Sequence, residues 1–308
     1  MHASYHDDYV IPLPPKHSFP MPKFKALRDL LVREGVIDER KILEPEECSW
    51  ADLALVHTTD YLGALAAGTL GERAEKRMGL PWSPALVRRS RLAVTGTINA
   101  TECALRDGVA GNLAGGTHHA MPDHGQGFCV LNDVGVALRL LLAKRAIRRA
   151  LVFDLDVHQG NGTAAIFEGD DRVFTCSVHG AKNFPLRKEA SDLDVPVEDG
   201  LTDGPYLDVV RDTFERAIGA SRPDLIVYLG GVDVLHDDKF GRLALTLDGL
   251  RAREAYVTET VRELGVPLCL LLSGGYAPTP AMTAERHAEM YRAASRAYAP
   301  AQPNRPAT

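Results

Sequence analysis

Four clusters of polar residues in this 308-residue chain have types and spacings that could do chemistry. They are Asp154-Leu155-Asp156-Val157-His158, followed by Gln159-Gly160-Asn161-Gly162; Gly230-Gly231-Val232-Asp233; Ser273-Gly274-Gly275-Tyr276; and Gly115-Gly116-Thr117-His118-His119-Ala120. Asp156 and His158 are two residues apart, so on extended backbone both side chains leave one face and can converge on a cation. With Asp233 from a neighbouring strand end they form two carboxylates and one imidazole, a three-ligand set with an open position of the kind catalytic Zn2+ uses. Such an oxygen-rich set also accepts Fe2+ or Co2+. Strand-end aspartates more often cap loops, but carboxylates at a sheet centre without a counter-charge are costly, which favours the metal.

His118 and His119 follow two glycines, and in a tight turn both rings can reach one cleft for acid–base work. Asp154 and Asn161 are available as acceptors that fix the tautomers of those rings. Gly274 and Gly275 let backbone approach the site closely. The phenol of Tyr276 beyond them could donate to a developing oxyanion, although a tyrosine after a strand is more often packing.

The elements that must position these residues are legible as hydrophobic runs. Ala150–Asp156, Arg172–Val178, Asp224–Gly230 and Pro267–Ser273 are near-continuously apolar, as strands covered on both faces are. A shorter stretch, Gly111–Ala114, precedes the histidine pair. Helical spacing recurs over Arg88–Arg106, Asp133–Leu142, Tyr206–Ala220 and Leu250–Leu264, and earlier from about Pro22 to Glu34 and His57 to Ala67. The alternation predicts an α/β fold with a parallel sheet between helices, and ligands at the carboxyl ends of its strands. No linker separates the first 80 residues from the rest, so residues 1–299 read as one domain. The polar, Pro-rich 300–308 reads as a disordered tail.

With 45% hydrophobic and 25% charged residues, the composition is that of an ordinary globular protein. Thirty-five Lys and Arg against 41 Asp and Glu give a net charge of −6, which argues against nucleic acid as a partner. No apolar run reaches the roughly 18 residues of a membrane span and the first residues lack the layout of a signal peptide, so the cytoplasm is the default compartment. The five cysteines are odd in number and scattered, which fits reduced buried thiols. Arg outnumbers Lys by 26 to 9, a bias that hints at a GC-rich bacterial genome.

GGTHHA, GFCVLND (Gly127 to Asp133), DLDVHQGNG, GGVDVLHDDKFGRL and LSGGY stand in the order and spacing of the zinc-dependent histone deacetylase family, which this chain resembles from about Tyr5 to Pro280. YHDDYVIPLPPKHSFPMPKF and Val56-His57-Thr58 are most similar to the bacterial and class IV members. The resemblance implies the arginase/deacetylase fold, a three-layer α/β/α domain around a mostly parallel sheet of about eight strands. It implies Asp156, His158 and Asp233 as zinc ligands, His119 as general base and acid, His118 as the charge-stabilising histidine and Tyr276 as the transition-state tyrosine. Asp154 matches the carboxylate behind His118. Asn161 takes the place behind the second histidine that class I enzymes give to Asp. Gly127 and Phe128, with Phe184, match the walls of an acyl-lysine channel, joined as substrate-binding residues by Gly274 and Gly275. Asp154 and Ser177 match a structural monovalent cation site, as for K+. The family's first strand looks truncated here, Leu186-Arg187-Lys188 replaces glycines at the channel rim, and Thr117 replaces the bulky aromatic of class I.

Both readings give metal-activated water that hydrolyses an amide, and the resemblance implies that this is the ε-amide of an acyl-lysine, acetyl or longer, in a protein or peptide. The alternatives are deacetylation of small acetylated amines or acetylpolyamines, and a non-enzymatic acyl-lysine-binding scaffold. A two-metal ureohydrolase would want carboxylates where Gly160 and Leu235 stand, so its second site is not built.

Overall fold

The computed structural model describes residues 1–299; the expected disorder of 300–308 falls outside the described residues. Eight strands form one sheet: β1 (His2–Ser4), β2 (Ile42–Leu43), β3 (Val109–Asn112), β4 (Ala150–Asp154), β5 (Val173–Gly180), β6 (Leu193–Val197), β7 (Leu225–Leu229) and β8 (Leu268–Leu271). Their order is β2-β1-β3-β8-β7-β4-β5-β6. Every pairing is parallel, so the sheet is wholly rather than mostly parallel. The first strand is three residues long and paired on both sides.

Ten α-helices flank the sheet: α1 (Lys23–Arg33), α2 (Trp50–Leu53), α3 (Thr59–Ala67), α4 (Glu72–Met78), α5 (Pro84–Asp107), α6 (Asp133–Ala143), α7 (Asn161–Phe167), α8 (Asp203–Ser221), α9 (Leu247–Leu264) and α10 (Pro280–Ala297). The period-2 alternation of the strands divides the core between two faces. Leu151 and Phe153 of β4, Ile226 and Tyr228 of β7, and Leu268 and Leu270 of β8 pack toward α8, α9 and α10. Val152, Val227, Cys269 and Leu271 pack toward α5, α6 and α7. Both faces are covered, which is why these runs are apolar without interruption. All five cysteines are free and buried. Among the described residues no helix is long and apolar enough to cross a membrane.

Helix boundaries follow their caps. Ser83 accepts from the Leu86 amide ahead of Pro84, and Thr58 accepts from Tyr61, so α3 starts at Thr59 and leaves His57 outside it. His57 has a different task. Its Nε2 accepts from the Asn132 amide (3.0 Å) and its Nδ1 lies 3.1 Å from the Met121 carbonyl oxygen. The buried ring thus pins the start of α6 in one neutral tautomer, and burial holds its pKa down to about 4. A group lowered in the folded state stabilises the fold above its unfolded value of about 6.5, and that contribution drains away as pH falls toward about 4. The gap corresponds to about 3 kcal/mol. His57→Gln should therefore be less stable than wild type at pH 7.5, with the gap in urea midpoint closing progressively by pH 5; a gap that is constant with pH refutes this role.

Candidate active site

The carboxyl ends of β3, β4, β7 and β8 meet at the centre of the sheet, and the four polar clusters lie there. β4 ends at Asp154, so the strand alternation expected for Asp156 and His158 does not apply. Side-chain turns bring them together instead: the Asp156 amide donates to Asp154 Oδ1 (3.0 Å) and the His158 amide to Asp156 Oδ1 (2.9 Å). Asp233 arrives from the loop after β7, its Oδ1 accepting from the Val157 amide (3.0 Å). One donor atom from each of Asp156, His158 and Asp233 lies within 4.8 Å of the other two. Both carboxylates are fully buried, and His158 Nδ1 sits 3.0 Å from Asp156 and 3.2 Å from Asp233.

Burial opposes charge on His158, yet its contacts with the two aspartates outweigh this and raise it to about 10, so its proton is the counter-charge between them. Burial and the Asp156 charge push Asp233 upward. A divalent cation supplies two positive charges at the same point, and its binding would release that proton. The donor set therefore fits a Zn2+-class ion. Glycines make room: a Cβ on Gly274 would meet Asp233 Oδ2 at 2.0 Å and Asp156 Oδ2 at 2.6 Å, and the Gly274 amide donates to Asp156 Oδ2 (2.5 Å).

The histidine pair is placed by a buried carboxylate to which the sequence reading gave no role. Asp133 accepts from the amides of Gly116 (2.9 Å) and Thr117 (2.8 Å) and from the hydroxyls of Thr97 and Thr117, which fixes the turn ahead of His118. Gly116 takes φ +95 there, and a Cβ would strike Ser273. The two rings lie with centroids 4.0 Å apart and planes tilted by 41°, and face different partners. His118 Nδ1 lies 2.6 Å from Asp154 Oδ2; burial disfavours its charge, but Asp154 and Asp156 raise it to about 9. His119 Nδ1 lies 2.8 Å from Asn161 Oδ1, and burial beside His118 and His158 keeps it well below the usual histidine range. Asn161 is the first residue of α7 rather than a loop residue. One histidine is thus held charged and its neighbour neutral.

Tyr276 has its amide on Asp238 (2.7 Å) and its ring against Phe240 (4.8 Å between centroids) and Phe128 (5.8 Å). Burial and the Asp156 and Asp233 charges push the phenol well above its ordinary value, so it is a donor. Gly127, Phe128, Phe184, Phe240, His119, His158 and Tyr276 line an open cleft of about 330 Å3. The Phe184 ring meets His119 edge-on at 4.9 Å. Beneath it an inner cavity of only about 40 Å3 is bounded by Lys23, Phe24 and Arg89. Gly275 packs behind, where a Cβ would strike Val232. Asp154 and Ser177 are register partners on β4 and β5, with Ser177 Oγ 3.1 Å from His179 Nδ1.

Sequence reasoning missed Asp133, Lys23, Arg89 and Phe240. Asp133 and Phe240 stand inside the motifs GFCVLND and GGVDVLHDDKFGRL, a signal that was present. The two cations look like solvated helix residues, yet Lys23 and Arg89 are 2% and 3% exposed.

The histone deacetylase domain model matches residues 17–291. An uncharacterized protein of Picosynechococcus sp. (strain ATCC 27264 / PCC 7002 / PR-6) is 45% identical over 96% of this chain and 98% of its own. Histone deacetylase 2 of Arabidopsis thaliana is 30% identical over 90% of this chain and 74% of its own. The crystal structure of a histone deacetylase homologue from Aquifex aeolicus superposes with a TM-score of 0.78 at 24% identity, covering 94% of this chain and 83% of that one, which supports the fold.

The glycine contacts generate a direct test. Gly274→Ala should spread the two carboxylates and lower Zn2+ affinity by about 10- to 100-fold in a chelator competition, with the far-UV spectrum unchanged. Undiminished affinity contradicts the assigned ligand set.

Proposed function

The chain belongs to the histone deacetylase family and is a hydrolase of amide bonds, and from that premise we propose that it removes short acyl groups, acetyl above all, from the ε-amine of lysine in a peptide or protein with the help of a zinc-class ion. The observation that carries the reading is the junction of an aromatic cleft with a small inner cavity at His119, His158 and Tyr276. An aliphatic lysine stem suits walls built from Phe128, Phe184 and Phe240. The inner cavity is small, about 40 Å3 against about 330 Å3 for the outer cleft. A long acyl chain would also have to lie against the buried Lys23 and Arg89 side chains there. Of the acetyl and longer acyl groups that the resemblance admits, the small charged cavity favours the short ones.

Asp156, His158 and Asp233 would hold the ion, which supplies polarisation of the amide carbonyl and acidification of water. The chain's own groups divide the remaining work. Asn161 Oδ1 accepts from His119 Nδ1, which leaves Nε2 with a free lone pair to take the proton of the attacking water. His118, charged beside Asp154, lies over that ring and stabilises negative charge as the carbonyl oxygen develops it. The Tyr276 hydroxyl donates to the same oxygen. His119 then gives its proton to the nitrogen as the C–N bond breaks, and the products are a carboxylate and the free amine. Phe19, Phe24 and Phe128 keep solvent from the inner side. The same reading makes residues 1–299 one domain, since the site draws on residues from His118 to Tyr276, and assigns Asp154 and Ser177 to a structural K+.

Two outcomes test it. His119→Ala and Tyr276→Phe should each lose about 100- to 1000-fold in kcat/KM on an acetyl-lysine peptide while keeping about one metal per chain; turnover within a few-fold of wild type contradicts the roles. Across acetyl, crotonyl, octanoyl and myristoyl lysine peptides, kcat/KM should fall at least about tenfold from acetyl to octanoyl, and equal turnover of the long chains rejects the short-acyl assignment.

A further inference from the structure

The net charge of −6 suits cationic substrates, acetylpolyamines among them, but the mouth of the cleft has the opposite sign. Apart from His119 and His158, the charged residues lining the outer cleft are Lys182 and Arg242, and no carboxylate lines it. Asp199 reaches both (3.7 and 3.3 Å) and so neutralises one charge of the two. Three further segments add cations that have no carboxylate partner among the described residues. Arg187 follows Leu186, which is 94% exposed, on the rim segment beyond Phe184, and the Lys188 ammonium turns back onto the carbonyls of Asn183 (2.5 Å) and Pro185 (2.6 Å). Lys239 lies 5.3 Å from the centroid of the Phe240 wall and bonds Ser18 Oγ. Of the acids beside it, Asp237 pairs with Arg286, while Asp238 accepts from the amides of Tyr276, Phe240 and Gly241, bonds that hold the carboxylate without neutralising it. Arg77 is exposed at the end of α4, where its carbonyl accepts from the Gly127 amide (3.3 Å).

An acylated lysine carries no charge on its side chain, so whatever this ring of cations selects must flank it. Resting on the deacylase reading above, we propose that the mouth selects acyl-lysine in peptide segments with carboxylates beside the modified residue, and turns away acetylated polyamines, whose remaining ammonium groups would sit among Lys182, Arg187, Lys239 and Arg242. Solvent and salt limit each contribution: an unpaired cation about 7 Å from a substrate charge changes the encounter by about two- to threefold in a water-like dielectric. Two or three acting together give about tenfold.

The test uses the metal-loaded enzyme and three matched acetyl-lysine peptides, flanked on both sides by Asp, Ala or Lys, together with acetylspermidine. At 50 mM NaCl, kcat/KM for the Asp peptide should exceed that for the Lys peptide by about tenfold, with acetylspermidine poorer still. At 500 mM the ratio should fall to within about twofold, the Ala peptide reporting any general effect of salt. In Arg187→Glu/Lys239→Glu the Asp-to-Lys ratio should drop below that of wild type, a comparison internal to each protein and so independent of its yield of folded enzyme. Equal rates on the three peptides at low salt, or faster turnover of the Lys peptide or acetylspermidine, overturn the charge inference and leave the deacylase reading intact. Failure on the Ala peptide as well as the others rejects the deacylase reading, and this inference with it.

Discussion

Two carboxylates with no access to water stand at the centre of the sheet, and their mutual repulsion is the constraint around which the molecule is arranged. Asp156 and Asp233 are each 0% exposed and come within reach of one imidazole nitrogen. Charges so placed persist only with compensation, here from the His158 proton and the amides of Val157, His158 and Gly274. Three neighbouring strands must therefore end at one level. Parallel pairing of β8, β7 and β4 does this, and small residues at Gly231 and Gly274 let backbone approach where any side chain would collide with the carboxylates.

The same economy separates two chemically identical side chains. His118 and His119 are adjacent, buried and in contact, yet one faces a carboxylate and the other an amide oxygen. Charge on the first discourages charge on the second, so the pair resolves into an electrostatic group and a base without any difference in residue type. Asp133, gathering two amides and two hydroxyls, makes the turn rigid enough for that distinction to hold.

Much of this was legible in the residues. Central strands buried on both faces must be apolar throughout, so β4, β5, β7 and β8 announced themselves, and with them the level at which the functional groups lie. The edge was not legible, because β1 and β2 have three and two residues, too few for a period to emerge. Asp156 and His158 were expected together for a reason that does not hold: turns closed by the Asp154 and Asp156 side chains, not strand alternation, aim them. Lys23 and Arg89 have sequence neighbours that suit a solvated helix face, and only the folded chain reveals that they lie over Phe24. The basic mouth was concealed for another reason. Its members lie between residues 77 and 242, and a summed charge of −6 carries no information about where charge is placed.

The order of the strands also bears on when the site can come into being. Asp156 and His158 follow β4, Asp233 follows β7, and the backbone that closes over both carboxylates follows β8, the last strand in the chain. A growing polypeptide therefore carries its ligands for more than a hundred residues before the wall that unites them exists. Any ion held there would accordingly be taken up late in the life of the molecule, and the carboxylate pair is an internal opposing load until β8 docks between β3 and β7.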